Sequence, residues 1–322
     1  MRVLILSGTG FIGSAVIHAL AGHEVIVFHR GHSGANLRGV QHIHGDRADL
    51  ALHAPAFRSI RPDVVVDMAA QNAGDARQTI DCLRGVASRA VVISSVSVYR
   101  AFGRMIGTET GDIDNAPSTE LSPLRVKLFP YRGPQPRRPD DPRRWLDDYD
   151  KIPAERAYLA APGLTASIVR LPMVYGPGDP DRRIAGYVER LRQGQAIRLT
   201  NTAAAWRNAR AHVANAAHAI ALVTLRGAGG EVYNVAEPED FSEHDWIEHI
   251  DKEASRLGAV QIVPDEASDG RPAIDEFPPN TNFAQHLVMD CRKIRRELDY
   301  TEVVEPAKAI AATVRCIIRR QE

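Results

Sequence analysis

Three glycines close to the amino terminus have the spacing of a phosphate-binding turn. They occur in the run Gly8-Thr9-Gly10-Phe11-Ile12-Gly13, which follows an apolar stretch at residues 3–6 and opens a helical pattern. Glycines let the backbone turn tightly and approach a pyrophosphate, while the helix amino terminus offers amide donors and a positive dipole end. The turn therefore predicts binding of a nicotinamide dinucleotide, and the alternative is a purely structural glycine turn.

The residues after the second apolar run bear on which dinucleotide is bound. An NAD enzyme usually places Asp or Glu there, where its carboxylate binds the ribose 2′-hydroxyl. This chain has His29-Arg30-Gly31 instead. Because a guanidinium matches a 2′-phosphate, Arg30 favours NADP over NAD as the cofactor. The alternative is that Arg30 stacks over the adenine or faces solvent.

Short apolar runs alternate with helical patterns through the first half of the chain. We predict strands at residues 3–6, 24–28, 40–44, 64–67 and 90–93, and helices at residues 11–21 and 74–86. Continuous Val/Ile runs suit strands covered on both faces, and helices between them make the sheet parallel. The predicted fold class is α/β, a doubly wound parallel Rossmann sheet with a smaller C-terminal α/β substrate-binding domain.

The second half of the chain is less regular. Residues 103–150 are rich in Pro, Arg and Asp, which predicts a long loop that either covers a site or is disordered. Helical and strand patterns then resume, at residues 152–161, 167–170, 214–225, 232–235 and from about residue 306. We assign residues 1–171 and 207–236 to the dinucleotide-binding domain, and residues 172–206 and 237–322 to the substrate-binding domain.

Composition narrows the classes of partner. The 322 residues include 40 Lys and Arg and 40 Asp and Glu, and this zero net charge disfavours a nucleic-acid partner. The three cysteines are scattered without metal-ligand spacing, so no metal and no disulfide framework are expected. No apolar run approaches the roughly 18 residues that span a bilayer. We expect a cytoplasmic protein that acts on a small molecule, with no membrane partner.

Six short motifs follow one another along almost the whole chain. They are Ser7-Gly-Thr-Gly-Phe-Ile-Gly13, Gly45-Asp46-Arg47, Val64-Val-Val-Asp-Met-Ala-Ala70, Ile93-Ser-Ser-Val-Ser-Val-Tyr99, Val169-Arg-Leu-Pro-Met-Val-Tyr-Gly-Pro177 and Tyr233-Asn-Val235. In this order they resemble the extended branch of the short-chain dehydrogenase/reductase superfamily, the NAD-dependent epimerase/dehydratase family. One departure is Ser7, where that family usually has glycine.

The resemblance implies how the cofactor is held. Its pyrophosphate would lie on the glycine turn, its adenine beside the third strand, and its nicotinamide end near the fourth and sixth strands. The implied cofactor-binding residues are Gly8, Gly10 and Gly13 with the amides of Phe11 and Ile12, then Asp46 and Arg47, Ala69 and Ala70, and Pro172 and Met173. The resemblance also implies a homodimer.

Members of that family typically use a Ser or Thr, a Tyr and a Lys as catalytic residues. The phenol gives or takes a proton at the substrate oxygen while hydride moves at the adjacent carbon. The lysine holds the nicotinamide ribose and lowers the pKa of the tyrosine. The resemblance assigns these roles to Ser95, Tyr149 and Lys151, with Lys151 also binding cofactor. The alternative for Ser95 is a strand-end serine that caps local backbone.

The spacing of the tyrosine and the lysine is irregular. The two residues normally lie four apart on one helix face, but Tyr149 precedes Lys151 by two. Aligning Lys151 and Glu155 with the family puts Asp147 at the tyrosine position. Three interpretations remain. An irregular loop brings Tyr149 to the site, Asp147 or another group replaces the phenol, or the chain binds dinucleotide without the family's chemistry.

Candidate substrate-binding residues are Ser97, Lys127, Arg207 and Arg210. Lys127 lies in a stretch of alternating cations and aromatics. Arg207 and Arg210 flank Asn208, which occupies the position where relatives often place an arginine for a nucleotide-sugar diphosphate. They favour an anionic substrate, and the alternative is that they pair with surface carboxylates.

Two functions follow from these patterns. The first is an NAD(P)-dependent epimerase, dehydratase or reductase that acts by hydride transfer on a small polar substrate, with anionic and sugar-nucleotide compounds as candidates. The second is a dinucleotide-binding protein without catalysis, such as a sensor, a scaffold or an RNA-associated protein. Ser95 and Lys151 favour the first, and Asp147 at the tyrosine position favours the second.

Overall fold

The computed structural model describes residues 1–31, 37, 39–238, 241–254, 259–267, 269–272 and 277–320. The described strands are β1 (Arg2–Leu6), β2 (Glu24–His29), β3 (Gln41–His44), β4 (Val64–Asp67), β5 (Arg89–Ser95), β6 (Thr165–Leu171), β7 (Met173–Tyr175), β8 (Ala196–Thr200), β9 (Arg210–His212), β10 (Val232–Asn234) and β11 (Ala259–Val263). Seven of them form one parallel sheet in the order β10-β6-β5-β4-β1-β2-β3. The order reverses at β1, which is the doubly wound arrangement expected from the sequence.

Helices connect these strands. They are α1 (Phe11–Ala19), α2 (Ala54–Ile60), α3 (Ala73–Leu83), α4 (Arg100–Met105), α5 (Lys151–Leu159), α6 (Ala185–Arg192), α7 (Asn201–Ala205), α8 (Val213–Arg226), α9 (Glu243–Ala254), α10 (Arg292–Leu298) and α11 (Pro306–Arg319). Shorter 3₁₀ turns occupy Arg47–His53, Val96–Val98 and Arg144–Asp147. Among the described helices, none is long and apolar enough to span a membrane. The predicted Rossmann fold class is confirmed.

Two apolar layers cover the faces of the main sheet. Successive residues of a strand point to opposite faces, so Val3 and Ile5 of β1 join one buried cluster while Leu4 and Leu6 join the other. The larger cluster continues to Trp206 and includes residues of α6, α7 and α9. The segments predicted as two domains therefore share one continuous core, and their boundaries stay a prediction.

The predicted long loop is ordered around a buried arginine. Between α4 and the 3₁₀ turn Arg144–Asp147, the structure describes no further helix or strand in residues 106–143. Isolated bridges tie the loop to the rest of the fold, joining Tyr99 to Leu124 and Ser118 to Met289. Arg125 is only 2% exposed. Of the two alternatives considered for this stretch, the described geometry favours a loop packed on the fold.

The turn between β1 and α1 shows why glycine is needed there. A Cβ at Gly13 would overlap the carbonyl group of Gly8, so the helix packs on the turn only without a side chain. Ser7 adopts a φ of 64°, in the left-handed region that favours glycine. A serine in this conformation is strained, which agrees with the glycine expected at this position from the family resemblance.

We therefore predict that Ser7→Gly stabilises the protein. Removing the left-handed strain outweighs the added backbone entropy of glycine, for a net gain of about 0.5–1 kcal/mol in the free energy of unfolding. Urea denaturation of the cofactor-free protein measures this gain. Ser7→Ala is the matched control, because it keeps the Cβ and so the strain. If the glycine variant is no more stable than the alanine variant, the turn is not strained at Ser7.

Candidate active site

The glycine turn presents open backbone donors at the carboxyl edge of the sheet. Gly10 is exposed, and a Cβ at this position would have no atom of the described residues within 4 Å. Gly10 is the residue before α1, and no described side chain makes a capping hydrogen bond at this helix terminus, so the first amides of α1 lack a side-chain partner there. An uncapped helix terminus beside an open glycine fits a pyrophosphate.

The end of β2 carries a histidine cluster beside an exposed arginine. His29 is buried, and its Nε2 lies 2.8 Å from Nδ1 of His42. Burial, followed by the neighbouring His42 and His44, lowers the pKa of His29, so that His29 is neutral at pH 7. Arg30 is exposed and therefore supplies the positive charge at the position where NAD enzymes carry a carboxylate.

Arg47 is engaged inside the fold. Its guanidinium donates two hydrogen bonds of 2.9 Å to Asp67 and one of 2.8 Å to Thr79. Burial would raise the pKa of Asp67, but the charge and hydrogen bonds of Arg47 hold it below its usual value. Asp67 in turn accepts from the amides of Ala69 and Ala70, each at 3.0 Å. The ion pair thus fixes the Asp67 carboxylate, which holds the backbone of the turn after β4. Among the described residues, the guanidinium of Arg47 makes structural contacts. The expectation that Arg47 lies beside the adenine stays a prediction.

Asp46 and the residues after β6 differ in exposure, and Asp46 is exposed. The carboxylate of Asp46 accepts from the amide of Ala48 at 2.9 Å and caps the 3₁₀ turn that follows. Pro172 is buried, whereas Met173 is half-buried with its Sδ 3.8 Å from Nδ2 of Asn208. Their expected contacts with adenine and nicotinamide stay predictions.

Lys151 is the first residue of α5 and its ammonium is buried. Its Nζ donates to the carbonyl of Ala70 at 2.7 Å and to that of Ile93 at 2.9 Å. The helix begins here because the Asp150 carboxylate caps the amide of Ile152 at 3.0 Å. Burial lowers the pKa of Lys151 to about 8. A cation is therefore held at the ends of β4 and β5, where the resemblance places the nicotinamide ribose.

Tyr149 reaches the same place from outside the helix. Burial raises the pKa of Tyr149, and the nearby hydroxyls of Ser95 and Ser97 oppose that rise. Its ring centroid lies 5.8 Å from Nζ of Lys151. Because Tyr149 precedes the cap of α5, the two-residue spacing does not place it on the far helix face. The structure thus brings Ser95, Ser97, Tyr149 and Lys151 together.

Asp147 has other partners in the described structure. Its carboxylate accepts from the amide of Arg137 at 2.7 Å and pairs with the Arg137 guanidinium. The backbone hydrogen bond from Arg137, reinforced by the side chain and its charge, lowers the pKa of Asp147. An ionised carboxylate cannot donate a proton at neutral pH. Of the three interpretations of the irregular spacing, the geometry favours the one in which Tyr149 enters from the loop.

Ser95 fits both roles considered from the sequence, the catalytic hydroxyl and the cap of local backbone. It ends β5, and its Oγ accepts from the amide of Ser97 at 3.1 Å, which is the local cap. The same hydroxyl lies near enough to the phenol of Tyr149 to oppose the rise of its pKa. A hydroxyl can donate one hydrogen bond and accept others, so capping leaves Ser95 able to orient an oxygen at the phenol.

The predicted substrate residues are dispersed. Ser97 is buried beside the phenol, and Lys127 is exposed. Arg210 is 4% exposed, pairs with Glu243 and stacks 4.4 Å over Trp246, so its charge is neutralised within the fold. Arg207 is exposed, on a bridge to Ser242. Of the four candidates, the described contacts bring only Ser97 next to Tyr149, and they give Arg210 an internal structural partner.

Sequence reasoning missed two buried charges that border the site. Arg125 and Asp150 form an ion pair of 3.0 Å whose side chains have no exposed area. Arg125 is one of several cations in its stretch, and no local signal separates it from the exposed Lys127. Asp150 had a signal, because an aspartate directly before a helical pattern is a preferred amino-terminal cap.

This sheet order, glycine turn and Ser-Tyr-Lys cluster define a dinucleotide-binding α/β protein of the extended short-chain dehydrogenase/reductase type. The profile of the NAD dependent epimerase/dehydratase family matches residues 3–84 and 151–236. The chain belongs to this family.

Known relatives agree with this assignment. A dTDP-glucose 4,6-dehydratase from Streptomyces niveus is 25% identical over a match that covers 98% of this chain and 92% of that protein. A 2′-dehydrokanamycin reductase from Streptomyces kanamyceticus is 37% identical over 100 residues, which cover 30% of this chain and only 28% of the reductase. These relatives are enzymes.

A solved structure shows the same fold over the whole chain. The UDP-glucose 4-epimerase of Thermus thermophilus, crystallised as a complex with NAD, superposes with a TM-score of 0.70 at 21% identity, and the match covers 99% of each chain. At this identity the likeness concerns the fold.

The burial of Lys151 predicts a pH dependence of stability. Its pKa of about 8 in the folded protein lies below the usual lysine value near 10.4 in an unfolded chain. Between these two values the unfolded chain binds one more proton, so the stability rises with pH, by at most about 1.4 kcal/mol per pH unit. Below pH 8 both states are protonated, and the cost of burying the charge is fully present.

Lys151→Met removes this contribution. The difference in unfolding free energy between the parent and the variant, measured in urea without cofactor, should be constant below pH 8 and shift in favour of the parent above it. All other titrating groups cancel in that difference. A flat difference from pH 7 to pH 10 would show that Lys151 keeps its ordinary pKa.

Proposed function

We propose that the chain is an NAD(P)-dependent epimerase, dehydratase or reductase that acts by hydride transfer on a small polar substrate. The observation that carries this proposal is the cluster of Ser95, Tyr149 and Lys151 at the carboxyl edge of the sheet that bears the glycine turn. The relatives' names support sugar-derived substrates, since they include dTDP-glucose, UDP-glucose and an oxidised aminoglycoside. A sugar or sugar-nucleotide compound is the substrate class proposed for this chain.

Each residue of the cluster has a role that its environment supports. A bound nicotinamide dinucleotide supplies the hydride chemistry at the substrate carbon. Burial keeps the Tyr149 phenol protonated at neutral pH, so it donates a proton to the substrate oxygen and takes one back in the reverse direction. Ser95 and Ser97 orient that oxygen by hydrogen bonds. Lys151 holds a ribose hydroxyl with its buried ammonium.

The cofactor we propose is NADP rather than NAD. Arg30 supports this preference because it is exposed at the end of β2, and the neighbouring His29 is neutral and occupied by His42. A guanidinium pairs with a 2′-phosphate by charge-assisted hydrogen bonds, whereas a 2′-hydroxyl gains little from it. NADPH use in turn favours a reductase, which exchanges its cofactor in each cycle.

Replacing the phenol tests the catalytic assignment. We expect Tyr149→Phe to lower turnover by about 10²–10⁴-fold, the usual contribution of a positioned proton donor, and Ser95→Ala to lower it as well. The measurement is nicotinamide absorbance with a panel of sugar and sugar-nucleotide ketones and alcohols. Asp147→Asn is the control, and its turnover should stay near that of the parent. If Asp147→Asn loses turnover while Tyr149→Phe does not, the carboxylate is the acid/base.

The cofactor preference has its own test. Arg30→Ala should weaken NADPH binding by about 10–100-fold, the value of one charge-assisted contact, and leave NADH binding unchanged. Fluorescence titration of both cofactors measures this selectivity. Arg58→Ala removes an exposed arginine from α2 and serves as the matched control. Equal losses for both cofactors would place Arg30 on the adenine rather than on the 2′-phosphate.

The first experiment is to denature the purified protein and identify any released dinucleotide by mass spectrometry. Stoichiometric dinucleotide favours an epimerase or dehydratase that recycles its cofactor, and an empty protein that binds NADPH favours a reductase. A protein that binds dinucleotide but turns over no substrate of the panel matches the non-catalytic alternative. The homodimer and the cytoplasmic location stay predictions.

A further inference from the structure

A buried ion pair lies directly behind the tyrosine of the site. Arg125 and Asp150 are 3.0 Å apart, and neither side chain has exposed area. Asp150 is the residue between Tyr149 and Lys151. Burying two charges is costly unless their hydrogen bonds are satisfied, so the contacts of the pair show what it holds in place.

The guanidinium of Arg125 joins three parts of the chain. Its Nε donates to the carbonyl of Ser97 at 2.5 Å, its Nη1 to the carbonyl of Lys127 at 2.5 Å, and its Nη2 to the Asp150 carboxylate. Ser97 is in the turn that follows β5 and carries one of the two hydroxyls that face Tyr149. Arg125 therefore ties that turn to the segment that contains the tyrosine.

Asp150 collects a second set of contacts. Its carboxylate accepts from the amide of Phe129 at 2.6 Å and caps the amide of Ile152 in the first turn of α5. Its own amide donates to the carbonyl of Gln71, beyond β4, at 2.9 Å. Three segments of chain thus meet at Asp150, next to Tyr149: the loop at residues 125–129, the turn after β4 and the start of α5.

The irregular spacing of Tyr149 and Lys151 explains why an ion pair is needed to hold the tyrosine. When a tyrosine and a lysine lie four residues apart on a helix, the helix backbone holds both side chains on one face. Here Asp150 has an extended backbone with φ −158° and ψ 117°, so Tyr149 lies outside the helix and receives no restraint from it. The rings of Tyr131 and Trp145 flank Tyr149 at 5.6 and 5.8 Å, but Trp145 is itself 48% exposed.

We propose that Arg125 and Asp150 are positioning residues that hold the Tyr149 phenol against Ser95 and Ser97, in place of the helical spacing that this chain lacks. The proposal rests on the proposed role of Tyr149 as the proton donor. It differs from a purely structural role, because it requires the tyrosine to move when the pair is removed from a folded protein.

The experiment places 3-fluorotyrosine at position 149 and follows its ¹⁹F resonance against pH in the cofactor-free protein. The test variant is Arg125→Met with Asp150→Asn. Removing both charges leaves no unpaired buried ion, and asparagine is as good a helix cap as aspartate. The charges of Arg125 and Asp150 shift the pKa of Tyr149 in opposite directions, so removing both isolates the effect of position.

We expect the ¹⁹F resonance of the double variant to move toward the solvent-exposed value, and the pKa at position 149 to fall by about one pH unit or more as burial is lost. NADPH titration should stay within about threefold of the parent, because the capped α5 still presents Lys151. Arg125→Lys should show an intermediate shift, since a lysine keeps the charge without the guanidinium fork.

A matched control comes from the neighbouring exposed ion pair. Arg132 and Asp148 lie 2.8 Å apart with side chains that are 44% and 75% exposed, and Asp148 directly precedes Tyr149. Asp148→Asn, which keeps the Arg132 hydrogen bond to the Asp147 carbonyl, should leave the resonance and its titration unchanged. A shift as large as that of the test variant would mean that any disturbance of this loop moves the phenol.

Other outcomes overturn the proposal. A folded double variant with a lower melting temperature but an unchanged ¹⁹F titration assigns the pair to stability alone. A double variant that does not fold also assigns the pair to stability, since it then belongs to the core rather than to the site. Because the resonance reports position without substrate, this result is independent of whether Tyr149→Phe lowers turnover.

Discussion

The buried ammonium of Lys151 is the interaction on which the candidate site depends. It is held between carbonyl oxygens at the ends of two neighbouring strands, contributed by Ala70 and Ile93. This geometry exists only if β4 and β5 end at the same edge and α5 begins directly above them. The parallel sheet ensures the first condition, and the Asp150 cap ensures the second. A cation in this position has lost most of its hydration, which lowers its pKa and makes a ribose hydroxyl a favourable partner.

Around this cation, the fold uses buried ion pairs to shape loops that have no regular structure. The pair of Arg47 and Asp67 shapes the turn after β4, and the pair of Arg125 and Asp150 joins the long loop to the start of α5. A third buried pair, Arg210 of β9 with Glu243 of α9, joins two regular elements in the second half of the chain. Such pairs contribute little net stability, but breaking one partner leaves an unpaired buried charge. They therefore select one loop arrangement strongly over others.

Much of the fold could be predicted because its signals are local. The apolar runs at residues 3–6 and 64–67 became β1 and β4 with little change at their ends, since strands buried on both faces need continuous apolar side chains. The glycine turn could equally be predicted from the sequence, because only glycine fits where Gly13 packs on Gly8. The structural roles of Arg125 and Arg210 could not be predicted from the sequence, because an arginine that pairs inside the core has the same local sequence signals as one at the surface.

The sequence by itself determined the strand–helix alternation, the dinucleotide turn and the family, because each follows from residue types at fixed short spacings. Only the tertiary structure favours Tyr149 over Asp147 as the proposed acid/base. Both precede Lys151 within one short stretch, and their distances along the chain favoured neither. This preference comes from partners outside that short stretch, since Ser95 and Ser97 lie near the phenol while Arg137 pairs with the carboxylate. Contacts of this kind depend on how the long loop packs on the sheet, and local periodicity carries no information about that packing.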